Sequence, residues 1–276
     1  MKILITGANG FLASRLCKAL KNHEISAFTR EQMDFTNDEE VVSRMEETKP
    51  DIVIHCGAIS DVGACERNPE LSYRVNVGGT ENIAKACGSY GVKLIFCSSD
   101  QVYLGHPGQA PHLEEEQLSP PHTYGIHKLQ AEQKCLEHNK DSVCLRLSWM
   151  YDKEIRIGAE HGNLITNIRE ALEKKEEIRY PVYDFRSITN VWEVVTNVEK
   201  VFELSPGIYN FGSENGLSTY EVVKHLLTLM GAADAGVEEN KEAFSDNPRN
   251  LRMDISKIRR CGIDFLTTIH GLEKAL

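Results

Sequence analysis

The chain has 276 residues, 41% hydrophobic and 26% charged, with a formal charge of −10 and an isoelectric point near 5.5. That length and composition suit one large folded domain, or a domain with a smaller lobe, each able to bury its own core. The acidic balance argues against a nucleic-acid surface while leaving room for a small anionic ligand held by backbone amides, and no apolar run approaches the ~20 residues of a membrane-spanning helix, so no membrane contact is expected.

In chain order, the first residues, "MKILITGANG", read as a strand running into a glycine turn rather than as a signal peptide, which makes the cytoplasm the default compartment. Short Ile- and Val-rich runs recur at Lys2–Thr6, Glu24–Phe28, Asp51–Cys56, Lys93–Cys97 and Ser142–Leu147. Between them Phe11–Leu20, Asp38–Thr48, Pro69–Tyr90 and Pro121–His138 read as helices, with apolar residues every three or four positions, as in Leu12, Leu16 and Leu20. Pro69 and Pro121 suit first-turn positions. Continuous apolar runs alternating with helices predict a doubly wound α/β fold, a parallel sheet covered on both faces.

Past residue 150 the alternation loosens into a loop ("IGAEHGN"), a charged helix ("ALEKKEE"), a strand at Gly207–Phe211 and a helix at Ser218–Met230. The expected organisation is a dinucleotide-binding domain over 1–150 and a smaller C-terminal α/β substrate-binding lobe over 151–276, with segments near 184–212 returning to the first domain. The Pro-rich stretch at 106–121 reads as a long surface loop whose three glutamates are solvated. Eight cysteines lie scattered without a C-x-x-C pair and read as buried thiols in a reducing compartment. Ten histidines are dispersed without an H-x-x-x-H pair, so no metal is expected.

"TGANGFLASRL" places Gly7, Gly10 and Ala13 where the first strand meets the first helix. Glycines there let backbone amides, including those of Phe11 and Leu12, approach a diphosphate, and the helix start adds a partial positive charge. This makes the fold Rossmann-type. The second strand ends "AFTR", with Arg30 where an NAD site would place an acid. A guanidinium there suits a 2′-phosphate, so NADP(H) is favoured over NAD(H), although Arg30 reads equally as an exposed charge. Asp34 and Phe35 fit an adenine pocket, and "HCGAIS" supplies Gly57, Ala58 and Ile59 for close approach of a flat cofactor.

Two further motifs follow. "SSDQVY" (98–103) ends the fourth strand, and "TYGIHK" sets Tyr124 and Lys128 four apart on one helical face, where an ammonium favours the phenolate. Each alone is ambiguous. In this order and spacing the three motifs resemble the extended short-chain dehydrogenase/reductase superfamily. Within it, "DIVIHCGA", "YRVNVGGTENIAKAC", "FCSSDQVY", "YGIHKLQAEQ", "LRLSWMYD" and "PRNLRMDISKI" most resemble the dTDP-4-dehydrorhamnose reductase family.

That resemblance implies hydride transfer from NADPH to the C4 ketone of a nucleotide-linked sugar, the small-molecule partner expected, with a homodimer left open. Tyr124 is then the proton donor, Lys128 holds the nicotinamide ribose and depresses the Tyr124 pKa, and Ser99 hydrogen-bonds the developing alkoxide. Ser99 is preferred to Ser98 because the family's Ser/Thr lies four residues before the aromatic at Tyr103, and Asp100 and Trp149 match positions that face the sugar. Gln101 stands where related dehydratases carry an acid, and an amide cannot serve as that base, which disfavours dehydration. Asn247-Pro248 and "DFRSITN" depart from the family pattern, so the sugar and its carrier stay open. Arg186, Arg249 and Arg252 read either as diphosphate ligands or as surface charges. The competing readings are a C4 epimerase or dehydrogenase with the same trio, and a non-catalytic binding subunit like the regulatory subunit of methionine adenosyltransferase.

Overall fold

Strand and helix alternate through the first half: β1 (Lys2–Thr6), α1 (Phe11–Ala19), β2 (Glu24–Phe28), α2 (Asp38–Thr48) and β3 (Ile52–His55). Next come α3 (Val62–Arg67), α4 (Pro69–Tyr73) and α5 (Thr80–Tyr90), the last two joined by a π-helical turn (Arg74–Gly79). β4 (Lys93–Ser99) runs into a 3-10 turn (Asp100–Tyr103), and a long loop leads to α6 (Thr123–His138) and β5 (Ser142–Leu147). The remainder comprises β6 (Trp149–Tyr151), α7 (Leu164–Lys174), β7 (Arg179–Pro181), β8 (Asp184–Arg186), β9 (Ile188–Asn190), α8 (Val191–Val201), β10 (Gly207–Phe211), α9 (Thr219–Leu229), β11 (Glu238–Asn240), β12 (Arg249–Leu251), α10 (Ser256–Arg260) and α11 (Thr268–Ala275). This is a computed structural model and it describes residues 1–106, 109–154 and 162–276. Most of the loop expected at "IGAEHGN" lies outside the described residues.

Six parallel strands form the central sheet in the order β10-β5-β4-β3-β1-β2. Because side chains alternate across a strand, Ile3 and Ile5 join one core with α1 and α8, while Leu4, Val53 and Phe96 join another with α2, α5 and α6. With both faces covered, the strands read as unbroken apolar runs. A third core lies under α7, α9 and α11, beside three two-stranded ladders, β6–β9, β7–β11 and β8–β12. Among the described residues no helix is long and apolar enough to cross a membrane.

The helix foreseen over Pro69–Tyr90 is helical throughout, with a π-helical stretch in its middle where Gly79 abuts the Phe35 ring and Asn76 turns its amide onto the Ile59 backbone. One expectation changes. The loop glutamates are not all solvated: Glu114 is buried, accepting from the Asn210 amide at 2.9 Å, while Glu115 is exposed and pairs with Lys257. Five of the eight free cysteines are buried, as read from the sequence, and Cys261 alone is exposed.

Candidate active site

The carboxyl ends of β1, β3, β4 and β5 open into a cleft of about 740 Å³, the place where open α/β sheets take their ligands. Gly10, Phe11, Leu12 and Ala58 line one side; Ser99, Asp100, Tyr124, Lys128 and Trp149 line the other.

The glycine side is built by close approach. Gly7 sits at φ +67, and a Cβ there would stand 2.9 Å from the Gly57 Cα. Only glycine meets both demands. Gly10 caps α1 without any side-chain hydrogen bond, so the first N–H groups of a nine-residue helix face the cleft uncapped. This cradle fits the diphosphate of a dinucleotide.

On the opposite side, His122 caps α6, its Nδ1 accepting from the Gly125 amide at 2.8 Å while Nε2 lies 3.1 Å from Gln101 Oε1. A Cβ on Gly125 would come within 2.7 Å of the Gln101 carbonyl, so this glycine lets α6 press against the 3-10 turn. Tyr124 and Lys128 are thereby carried to the end of β4. Lys128 Nζ donates to the Cys97 carbonyl at 2.7 Å and lies 5.9 Å from the Tyr124 ring centre and 4.7 Å from that of Phe96.

The adjacent serines part company. Ser98 Oγ donates to Glu132 at 2.5 Å within a buried network, in which Arg146 bonds both Glu132 oxygens and the Tyr103 hydroxyl. Ser99 instead accepts from the Gln101 amide at 3.3 Å, donates to Asp100 Oδ1 at 3.3 Å and lines the cleft with Tyr124. The network thus occupies one hydroxyl and leaves the next at the cleft.

Burial pushes the Tyr124 phenol above its ordinary pKa; the nearby Ser99 hydroxyl acts against that rise and the Asp100 charge adds to it. The depression expected from Lys128 is therefore not found for these side chains alone, because desolvation of the phenolate sets the direction. Burial also pulls Lys128 below its ordinary value and, with the Lys128 charge, holds His55 at about 3, a neutral ring between Thr6 and Thr80.

Asp100 is buried, and burial raises its carboxyl against the pull of Arg186, 3.7 Å away. Arg186 lies over the Trp149 ring at 4.8 Å, and burial lowers its pKa. Asp100 Oδ2 and Arg186 Nε are both buried without a hydrogen-bond partner among the described residues. Paired polar atoms left open in a cleft fit a polar ligand. Arg249 also lines the cleft, but Asp184 holds it through two bonds of 2.8 and 2.7 Å. Arg252 lies outside the cleft lining, its Nε on Asn250.

Six residues read as cofactor ligands do not line this cleft. Gly7 and Gly57 pack backbone against backbone beside it; Phe35 is a buried wedge between Gly57 and Gly79; and Asp34 closes a turn by accepting from Thr36. Ile59 is pinned at both its N–H and C=O by Asn76, and Arg30 is exposed just past β2. Asn76 itself was missed by sequence reasoning, although a buried amide inside an apolar helical run is a usable signal for a backbone clamp.

The model of the RmlD substrate binding domain matches residues 1–273. A dTDP-4-dehydrorhamnose reductase of Mycolicibacterium smegmatis is 28% identical over 84% of this chain and 70% of its own length. Methionine adenosyltransferase 2 subunit beta of Rattus norvegicus is 24% identical over 100% and 87%. Among solved structures, the dTDP-4-dehydrorhamnose reductase of Bacillus anthracis in complex with NADP superposes with a TM-score of 0.88 at 27% identity, covering 100% of this chain and 98% of that one. With the glycine cradle, the parallel sheet and a match over almost the whole length, the chain belongs to the RmlD substrate binding domain family, of the extended short-chain dehydrogenase/reductase type.

Proposed function

We propose that this protein reduces the 4-keto group of a nucleotide-linked sugar, using NADPH. The observation that carries this reading is the Tyr124 phenol, one helical turn from Lys128 and lining one cleft with Ser99, opposite the glycine turn at the start of α1. The nicotinamide cofactor, when bound, supplies the hydride. Tyr124 gives its proton to the oxygen that becomes the alcohol, and its raised pKa keeps that proton in place at neutral pH until the stronger base appears. Ser99 hydrogen-bonds the same oxygen and stabilises developing charge. Lys128 holds the ribose of the cofactor, and the uncapped amides of α1 hold its diphosphate. Asp100, Arg186 and Trp149 take the sugar nucleotide. The preference for NADPH rests on Arg30, exposed just past β2, and on the NADP found with the Bacillus anthracis relative. Eight free thiols suit a reducing compartment, the cytoplasm. A relative named as the beta subunit of a methionine adenosyltransferase raises a binding role, but the trio assembled in one cleft favours catalysis.

The test is NADPH oxidation, followed by absorbance, against a panel of dTDP- and UDP-linked 4-keto sugars. Turnover with at least one is expected, together with a preference for NADPH over NADH that Arg30→Ala removes. Cofactor binding without turnover of any keto sugar would overturn the assignment.

A further inference from the structure

We propose a divalent transition-metal site, with zinc the best fit, formed by His106, His112 and Glu116 in the loop between the 3-10 turn and α6. Their donor atoms all lie within 4.8 Å of one another. Glu116 Oε2 is 2.8 Å from His112 Nδ1 and 3.4 Å from His106 Nδ1. A tetrahedral centre with bonds of about 2.0–2.1 Å separates its ligands by roughly 3.4 Å, so the two separations from Glu116 are within tenths of an ångström of what one shared ion needs. None of the three lines the catalytic cleft.

The hydrogen bonds around the ligands sharpen the point. His112 Nε2 lies 3.0 Å from the Asn250 carbonyl, which can only accept, so Nε2 carries hydrogen. In the neutral ring Nδ1 then presents a lone pair, and what it meets at 2.8 Å is a carboxylate oxygen. Two acceptors at that distance need a proton or a cation between or beside them. A proton on His112 would meet the need of that pair alone. The third donor, His106, with its ring edge-on to that of His112 at 86°, is what a metal ion uses and a proton does not. The partners are those that metal ligands commonly keep: a carbonyl behind His112, and the Leu113 amide on the other Glu116 oxygen at 2.8 Å.

His112 is also rigidly held. It is buried, stacked on Tyr103 at 4.8 Å, and its backbone bonds to Arg252 and Asp254. Two imidazoles and one carboxylate suit zinc and its neighbours better than magnesium or calcium, which prefer all-oxygen shells. Bound there, the ion would tie the loop entering α6 to the C-terminal segment around Asn250. Spacings of six and four residues escape a search for short histidine pairs; the fold brings the ligands together.

The full chain, stripped with a chelator, would be titrated with Zn²⁺ and separately with Co²⁺. One equivalent bound is expected, with a melting rise of roughly 5 °C at a hundredfold excess over Kd, and a cobalt spectrum free of sulfur charge transfer. His106→Ala and Glu116→Gln should each weaken binding at least tenfold while melting, metal-free, with the stripped parent. No stoichiometric binding, a thiolate-to-cobalt band pointing to one of the free cysteines, or unchanged affinity in both variants would overturn the site.

Discussion

Replacing Glu132 by Gln tests how the catalytic strand end is held. The Glu132 and Arg146 side chains are 1% and 2% exposed, and two bonds of 3.0 and 2.8 Å join them, with Ser98 on the same carboxylate. Burial works against the guanidinium charge, yet Glu132 and Tyr103 more than restore it and raise the Arg146 pKa. The Gln variant keeps the shape and removes the negative charge, leaving a buried cation uncompensated. Breaking such a pair from one side costs about 3–5 kcal/mol. For a chain of this size that lowers the melting point by roughly 6–15 °C. Urea unfolding should show the midpoint falling with an unchanged slope. Turnover should fall as well, because Ser99 follows directly from the tethered Ser98. The double variant Glu132→Met/Arg146→Met removes both charges and should recover most of the stability. A loss below about 1 kcal/mol in the single variant, or a double variant no better than the single, would refute the reasoning.

Three further outcomes follow from the geometry. His55, held near pH 3 in the folded chain against about 6.5 unfolded, binds fewer protons when folded, so its contribution is full above pH 6.5 and is lost as pH falls toward 3. Between pH 6.5 and 5 this amounts to about 2 kcal/mol; urea melts at both pH values should show His55→Gln losing that part of the slope, and identical slopes would contradict it. Gly57→Ala places a Cβ 2.4 Å from the Phe35 ring and should cost about 1–3 kcal/mol, measured by the same melts, with Phe35→Leu restoring part. Arg186→Met should raise KM for the nucleotide sugar at least tenfold while leaving the NADPH Kd unchanged, since its guanidinium lies over Trp149 and faces Asp100; equal loss of both would place it elsewhere.

The sheet was legible because a strand buried on both faces must be apolar throughout, as "KILIT" and "IVIH" are. Helix ends were legible where capping chemistry is local: Asp38–Thr48 is found as read, with Asn37 capping it, and Ser218 proves to be the cap of α9 rather than its first residue. The helix at Pro121 begins two residues later, since His122 accepts the Gly125 amide and must stay extended. What escaped was long-range. Nothing local distinguishes Ser98 from Ser99; the difference is an ion pair contributed by α6 and β5. Local sequence reads Lys128 as an activator of Tyr124, but burial sets the sign of that shift, and burial belongs to the fold. The solvated reading of Glu114 failed for the same reason, its partner Asn210 lying 96 residues away.

The central claim is that Tyr124 delivers the proton in a reduction carried out in this cleft. Tyr124→Phe keeps the ring and removes one oxygen, so NADPH binding should hold within about twofold while single-turnover reduction of a dTDP-linked 4-keto sugar falls by 10²–10⁴. A variant that reduces the sugar at the parental rate would contradict the account.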